Sequence, residues 1–186
     1  MAKTTHLDYL SEGIKDRNLR ITVIGMGYVG LPSAISFYEA GFPVWGLDNS
    51  EEVITALKSG KSQILEEMGK TIPSGRNWDI FSKYEDCIPD TDVAIVCVPT
   101  PIDNLRKPNL KPVSESLNSI ISSRNPDSNL VIILESTVQP GTTRNCIQEA
   151  ISLHGSATPG VYAILRSSFV SSGTLDSILI LPLDFL

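Results

Sequence analysis

A glycine-rich segment set between two apolar runs constrains this chain more than any other feature. Ile21-Thr22-Val23-Ile24 reads as a short buried strand, and Gly25-Met26-Gly27-Tyr28-Val29-Gly30 follows at once. A helical pattern then runs to Gly41, a second apolar run covers residues 43–47, and that run ends on Asp48. Gly-x-Gly-x-x-Gly between a strand and a helix, with an acid closing the next strand, is the arrangement that binds a dinucleotide.

Each part has a physical task. Gly25 allows a tight turn off the strand, Gly27 keeps side-chain atoms away from a pyrophosphate, and Gly30 lets the helix approach the sheet. The amides of Tyr28 and Val29 open the helix without intrahelical acceptors, so they offer an anion the positive end of the helix dipole. Asp48 is placed to accept hydrogen bonds from the adenosine ribose hydroxyls. A carboxylate there repels a 2′-phosphate, so the expected cofactor is NAD rather than NADP.

Composition narrows the class. The chain has 186 residues, 41% apolar and 19% charged, enough for one α/β domain with a sizeable core. A net charge of −6 argues against nucleic acid as a partner, since such binding needs a dense basic surface. Cys87, Cys97 and Cys146 are too widely spaced to indicate a disulfide framework or a metal site, and Cys97 reads as a core residue of an apolar strand. No apolar run approaches the roughly 18 residues of a membrane span. Residues 1–18 are mostly polar, with no export signal, so the expected location is cytoplasmic.

Strand and helix signals alternate along the chain. Residues 5–18 suit an amphipathic leader helix, and Ser50-Glu51-Glu52 a capped helix start running to about Ser59 and ending at Gly60. Ser62-Gln63-Ile64 reads as loop, residues 78–81 as a short strand and 85–89 as a helical turn. Residues 93–98 form a clear buried strand, 113–123 a helix, 130–134 another strand and 140–153 a further helix. This order predicts a Rossmann-type doubly wound parallel sheet over residues 19–159, with ligands beyond the carboxyl ends of the strands. Gly25, Asp48, Thr100 and Thr137 all fall at such ends. From the residues alone, Thr100, Ser136 and Thr137 also suit strand ends and helix caps.

Four segments together resemble the nucleotide-sugar 6-dehydrogenases, the family of UDP-glucose and UDP-N-acetylmannosamine dehydrogenases. They are Ile24-Gly-Met-Gly-Tyr-Val-Gly-Leu-Pro32, Gly46-Leu-Asp48, Cys97-Val-Pro-Thr-Pro-Ile102 and Leu134-Glu-Ser-Thr-Val-Gln-Pro-Gly-Thr-Thr143. The resemblance covers about residues 19–155, the family's N-terminal cofactor domain. It implies that Gly25, Gly27, Tyr28, Val29 and Gly30 hold the pyrophosphate and Asp48 the adenosine ribose, with Thr100, Ser136 and Thr137 near the cofactor. The family often has a basic residue shortly after the acid; here Glu51, Glu52 and Val53 stand there instead.

The family oxidises a sugar C6 alcohol to a carboxylate by two hydride transfers to NAD, through a thiohemiacetal on a cysteine. That cysteine and the partnering lysine and acid lie beyond the matched region, and none of Cys87, Cys97 or Cys146 falls in the family's cysteine motif. No catalytic residue is therefore assigned, and a UDP-sugar is expected as a partner only with the missing domains. Near Gly160 the family continues into Ser-Pro-Glu, whereas this chain has an apolar tail over residues 160–186 with no obvious partner in the sheet. One codon choice for Ile164-Leu165-Arg166-Ser167, ATT-CTC-CGG-AGC, spells Tyr-Ser-Pro-Glu when read one base earlier after a T. A frameshifted or truncated end is one explanation. The expected function is thus the NAD-binding domain of such an enzyme, inactive alone; the alternative is a non-catalytic nucleotide- or partner-binding protein derived from one. The related 6-phosphogluconate and hydroxyisobutyrate dehydrogenases share the early glycines but not the later two segments.

Overall fold

The computed structural model describes residues 6–101, 108–135, 146, 149, 150 and 153, and the backbone of 161–165 and 179–182. In chain order the elements are α1 (His6–Asp16), β1 (Ile21–Ile24), α2 (Gly30–Glu39), β2 (Val44–Leu47), α3 (Glu51–Lys58), α4 (Gln63–Glu67) and β3 (Trp78–Phe81). Two 3-10 turns, Tyr84–Asp86 and Ile88–Asp90, then lead to β4 (Val93–Val96), α5 (Lys111–Ser123), β5 (Leu130–Leu134), β6 (Val161–Leu165) and β7 (Leu179–Pro182).

The strands form one sheet in the order β3-β2-β1-β4-β5-β6-β7. Every pairing is parallel except β6 with β7. The first six strands therefore follow the order of a doubly wound dinucleotide fold, with the reversal of winding between β1 and β4. Parallel strands covered on both faces read as continuous apolar runs, and β1 and β4 are buried at all four positions.

Side-chain alternation sorts these runs between two cores. Ile24, Leu47, Val96, Ile132 and Leu134 face α5, through Val113, Leu117 and Ile120, together with Cys146 and Ala150. Ile21, Val23, Val44, Ile80, Ile95 and Val131 face α2 and α3, through Leu31, Ala34, Ile35, Ile54 and Leu57. Thr22 breaks the apolar run of β1 without leaving an unpaired hydroxyl. It shares a 2.7 Å bond with Thr91 Oγ1, which donates to the Cys87 carbonyl at 2.8 Å, so Thr22 is the donor of the pair.

Local signals explain most boundaries. Ser50 caps α3 by accepting from the Val53 amide at 3.4 Å, and Gly60, at φ +76°, follows the helix end. Two expectations are corrected. Ser62 is not merely loop: its Oγ accepts from the Leu65 amide at 3.3 Å and starts α4, whose Leu65 is buried. The segment beyond residue 160 does have partners in the sheet. Val161–Leu165 extends it in parallel beside β5, and Leu179–Pro182 returns antiparallel beside β6. The expected helix over residues 140–153 lies mostly outside the described residues; Cys146, Glu149, Ala150 and Leu153 have helical backbone.

Candidate functional site

Backbone bonds from the residues that follow β1, β2, β4 and β5 step the carboxyl ends of five strands together. The Gly25 amide donates to the Leu47 carbonyl at 2.8 Å, Cys97 to Ile24 at 2.8 Å, Glu135 to Val96 at 3.0 Å and Asp48 to Phe81 at 3.2 Å. The residue after each strand is thereby fixed at one edge of the sheet. A cleft of about 740 Å³ opens over that edge; Gly27, Tyr28, Asp48, Cys97, Thr100 and Glu135 are among its walls.

Gly25 has φ +90°, and a Cβ there would also approach the Cys97 carbonyl oxygen at 2.9 Å. A Cβ on Gly30 would run into the Gly25 carbonyl oxygen, so α2 touches the turn as closely as backbone permits. A Cβ on Gly27, by contrast, would meet no atom of the described residues within 4 Å. The space above Gly27 is open cleft. The first amide paired in α2 is that of Leu31, which donates to the Gly27 carbonyl at 3.0 Å. The amides of Tyr28, Val29 and Gly30 precede it at the positive end of the helix, a fit for an anionic pyrophosphate.

Asp48 ends β2 half-buried. Its Oδ2 accepts from the Met26 amide at 2.8 Å and its Oδ1 from the Ser50 amide at 2.9 Å. Each oxygen keeps a further lone pair for a ribose hydroxyl. Among the described lining residues there is no Lys or Arg, while Asp48, Glu115 and Glu135 are acidic. Such a wall accommodates an uncharged ribose edge and opposes an added phosphate. Thr100 lies beyond β4 on the cleft wall, as expected from sequence. Ser136 and Thr137 lie outside the described residues.

Cys97 adds a correction. The strand ends at Val96, and the thiol, expected simply in the core, packs against it and also lines the cleft floor. Burial, helped by the Glu135 carboxylate, pushes its pKa up to about 12. Burial likewise pushes Cys87 up to about 12. Neither is a ready thiolate near neutral pH.

Sequence reasoning missed several participants. The buried Met26 side chain lies under the turn, where a Cβ on Gly46 would meet its Cε at 2.6 Å. Tyr84 donates to Ser116 Oγ at 3.1 Å and links the turn after β3 to α5 at the cleft wall; burial raises its pKa. No local pattern marks that pair. Glu135 had a visible signal, since it follows β5 as Asp48 follows β2.

Among the described residues no His, Cys, Asp and Glu cluster suits a metal, and no helix is long and apolar enough to cross a membrane. The sequence model described as "UDP-glucose/GDP-mannose dehydrogenase family, NAD binding domain" matches residues 19–173. The UDP-N-acetyl-D-mannosamine dehydrogenase of Pyrococcus horikoshii is 33% identical over 141 residues, covering 74% of this chain and 33% of that protein. The UDP-N-acetyl-D-glucosamine 6-dehydrogenase of Pseudomonas aeruginosa is 33% identical over 135 residues, covering 70% and 30%. Among solved structures, the UDP-D-ManNAc dehydrogenase of P. horikoshii superposes with a TM-score of 0.63 at 27% identity, covering 83% of this chain and 37% of that one. The chain thus spans about a third of the length of the curated relatives it matches. It belongs to the UDP-glucose/GDP-mannose dehydrogenase family and carries that family's NAD binding domain.

Proposed function

We propose that this chain binds NAD across the carboxyl edge of its sheet, as the cofactor domain of a nucleotide-sugar 6-dehydrogenase that oxidises a UDP-sugar C6 alcohol to a carboxylate. The amides of Tyr28 and Val29, with Gly25, Gly27 and Gly30 clearing the way, hold the pyrophosphate. Asp48 receives the adenosine ribose hydroxyls. Thr100 contributes near the cofactor, as do Ser136 and Thr137, which the family resemblance assigns there and which lie outside the described residues. When bound, NAD supplies the hydride acceptor; the chain's own residues orient it.

The observation that carries the reading is Asp48, held by the Met26 and Ser50 amides in a cleft without a lining cation among the described residues. One unit charge against another about 4 Å away costs about 1 kcal/mol even in water, and more in a half-buried cleft. NADP is therefore expected to bind at least about tenfold more weakly than NAD. Calorimetric titration of the purified chain with each cofactor tests this. Equal or tighter NADP binding would overturn the assignment.

The chain alone is expected to be inactive, because the nucleophile, lysine and substrate-binding residues of the family have no counterpart among its matched positions.

A further inference from the structure

We propose that Gly46 and the side chain of Met26 form a seat that aims the Asp48 carboxylate at the ribose of the bound nucleotide. Both are positioning residues. The inference rests on the preceding reading that Asp48 receives the adenosine ribose, and deepens it by naming what holds that carboxylate in place.

Gly46 is the third of the four residues of β2, paired with Val23 on one side and Ile80 on the other. A glycine inside a strand packs nothing itself and marks a close approach by another group. Met26 makes that approach. A Cβ on Gly46 would lie 2.6 Å from Met26 Cε and 2.9 Å from its Sδ, with Ile80 Cδ1 at 2.7 Å. The thioether therefore rests on the bare backbone of β2. Its tip is flexible, but Met26 is only 1% exposed and belongs to one core cluster with Val23, Leu31 and Ile80. Dense packing leaves a displaced tip little room, so the displacement is passed to the backbone of residue 26.

That backbone carries the contact that matters for binding. The Met26 amide donates to Asp48 Oδ2 at 2.8 Å, and the Gly25 amide beside it donates to the Leu47 carbonyl at 2.8 Å. The glycine-rich turn thus grips the end of β2 at three successive residues: the Met26 side chain at Gly46, the Gly25 amide at Leu47 and the Met26 amide at Asp48. Only the first of these grips depends on side-chain size. Filling the bare site at Gly46, or removing the thioether, shifts the amide that orients one carboxylate oxygen, while the Ser50 amide still holds the other.

A pair that served the fold alone would, when disturbed, lower the folded fraction and weaken every ligand alike. Calorimetric titration with ADP and with 2′,3′-dideoxy-ADP separates the two roles, because these ligands differ only in the ribose hydroxyls. Their affinity ratio reads Asp48 and cancels any common loss. The wild-type chain is expected to prefer ADP by at least about tenfold. In G46A and in M26A the ratio should fall to about threefold or less. In the double variant it should equal that of M26A, since the added methyl then meets no thioether. A wild-type ratio retained in G46A or M26A would overturn the inference, as would a G46A loss that persists in full in the M26A background. Where one of these chains fails to fold, M26L keeps the core volume and withdraws the methyl from Gly46. Its ratio should lie below the wild-type value, and an unchanged ratio would overturn the inference. Failure of ADP to bind the wild-type chain, or a wild-type ratio of one, would instead overturn the ribose reading of Asp48, and the inference with it.

Discussion

The Met26 amide donates to Oδ2 of Asp48 at 2.8 Å, so the acid that ends β2 also holds the glycine-rich turn that follows β1. With Ser50 donating to the other oxygen at 2.9 Å, one carboxylate joins the turn, the end of the second strand and the start of α3. The carboxylate proposed to receive the ribose is therefore also the one that holds the turn geometry.

Replacing Asp48 should accordingly do more than change cofactor preference. D48A leaves the Met26 and Ser50 amides without their charged acceptor, and is expected to lower stability by about 1–3 kcal/mol. NAD affinity should fall without a matching gain for NADP, because the turn that cradles both pyrophosphates is loosened. Urea unfolding and paired NAD and NADP titrations check this. A D48A chain with wild-type stability that prefers NADP would contradict the coupling.

Gly27 and Gly30 should separate binding from folding. A valine at Gly27 projects into open cleft, so G27V is expected to abolish NAD binding with circular dichroism and urea midpoint nearly unchanged. An alanine at Gly30 meets the Gly25 carbonyl oxygen and should cost about 1–3 kcal/mol or more through overpacking. Retained binding in G27V would move the pyrophosphate elsewhere.

Alkaline pH should weaken the contact of α1 with the sheet. Tyr9 donates to Asp92 Oδ1, and burial, followed by that bond and the Asp92 charge, pushes its pKa from 10.0 up to about 12. Below pH 10 the phenol is protonated in folded and unfolded chains alike, and its stabilising contribution is complete. From about pH 10 to 12 the unfolded chain loses the proton first, so stability falls as pH rises. Cys87, raised from 9.0 to about 12, acts in the same direction from a lower starting pH. Cys97 is raised in the same way, so Y9F should flatten the fall above pH 10 and leave the component of the two cysteines. An unchanged pH profile in Y9F would refute the assignment to Tyr9.

Incubating the chain with NAD and a UDP-sugar should yield no NADH. Hydride transfer needs the reacting carbon held about 3–3.5 Å from the nicotinamide, and that placement accounts for much of an enzyme's rate. A threonine hydroxyl such as that of Thr100 forms no thiohemiacetal, and the Cys87 and Cys97 thiols, both pushed up to about 12, are poor nucleophiles near neutral pH. NADH production free of host enzyme would show that the active site has been misplaced.

The parts legible in the sequence are those set by local chemistry. Gly25, Gly27, Gly30 and Asp48 announce themselves because a tight turn, a bare backbone and an acid at a strand end need particular residue types. Ser50 as a cap was readable for the same reason. Contacts between distant segments were not: Tyr84 meets Ser116 only once the sheet has brought the turn after β3 to α5. The strands at Val161–Leu165 and Leu179–Pro182 were hidden because their pairing with β5 and with each other leaves no local mark, and the role of Met26 because its amide, not its side chain, makes the bond to Asp48.

Amide-resolved NMR of the isotope-labelled chain during an NAD titration reads out whether NAD lies across the Gly25–Gly30 turn and Asp48. Saturable shift changes are predicted for Gly27, Tyr28, Val29, Asp48 and Ser50, with the opposite end of the sheet around Tyr9 and Asp92 left unmoved. The G27V chain should show none of them. Shifts confined to another surface, or no saturable change at the glycine-rich turn, would mean that NAD does not bind there.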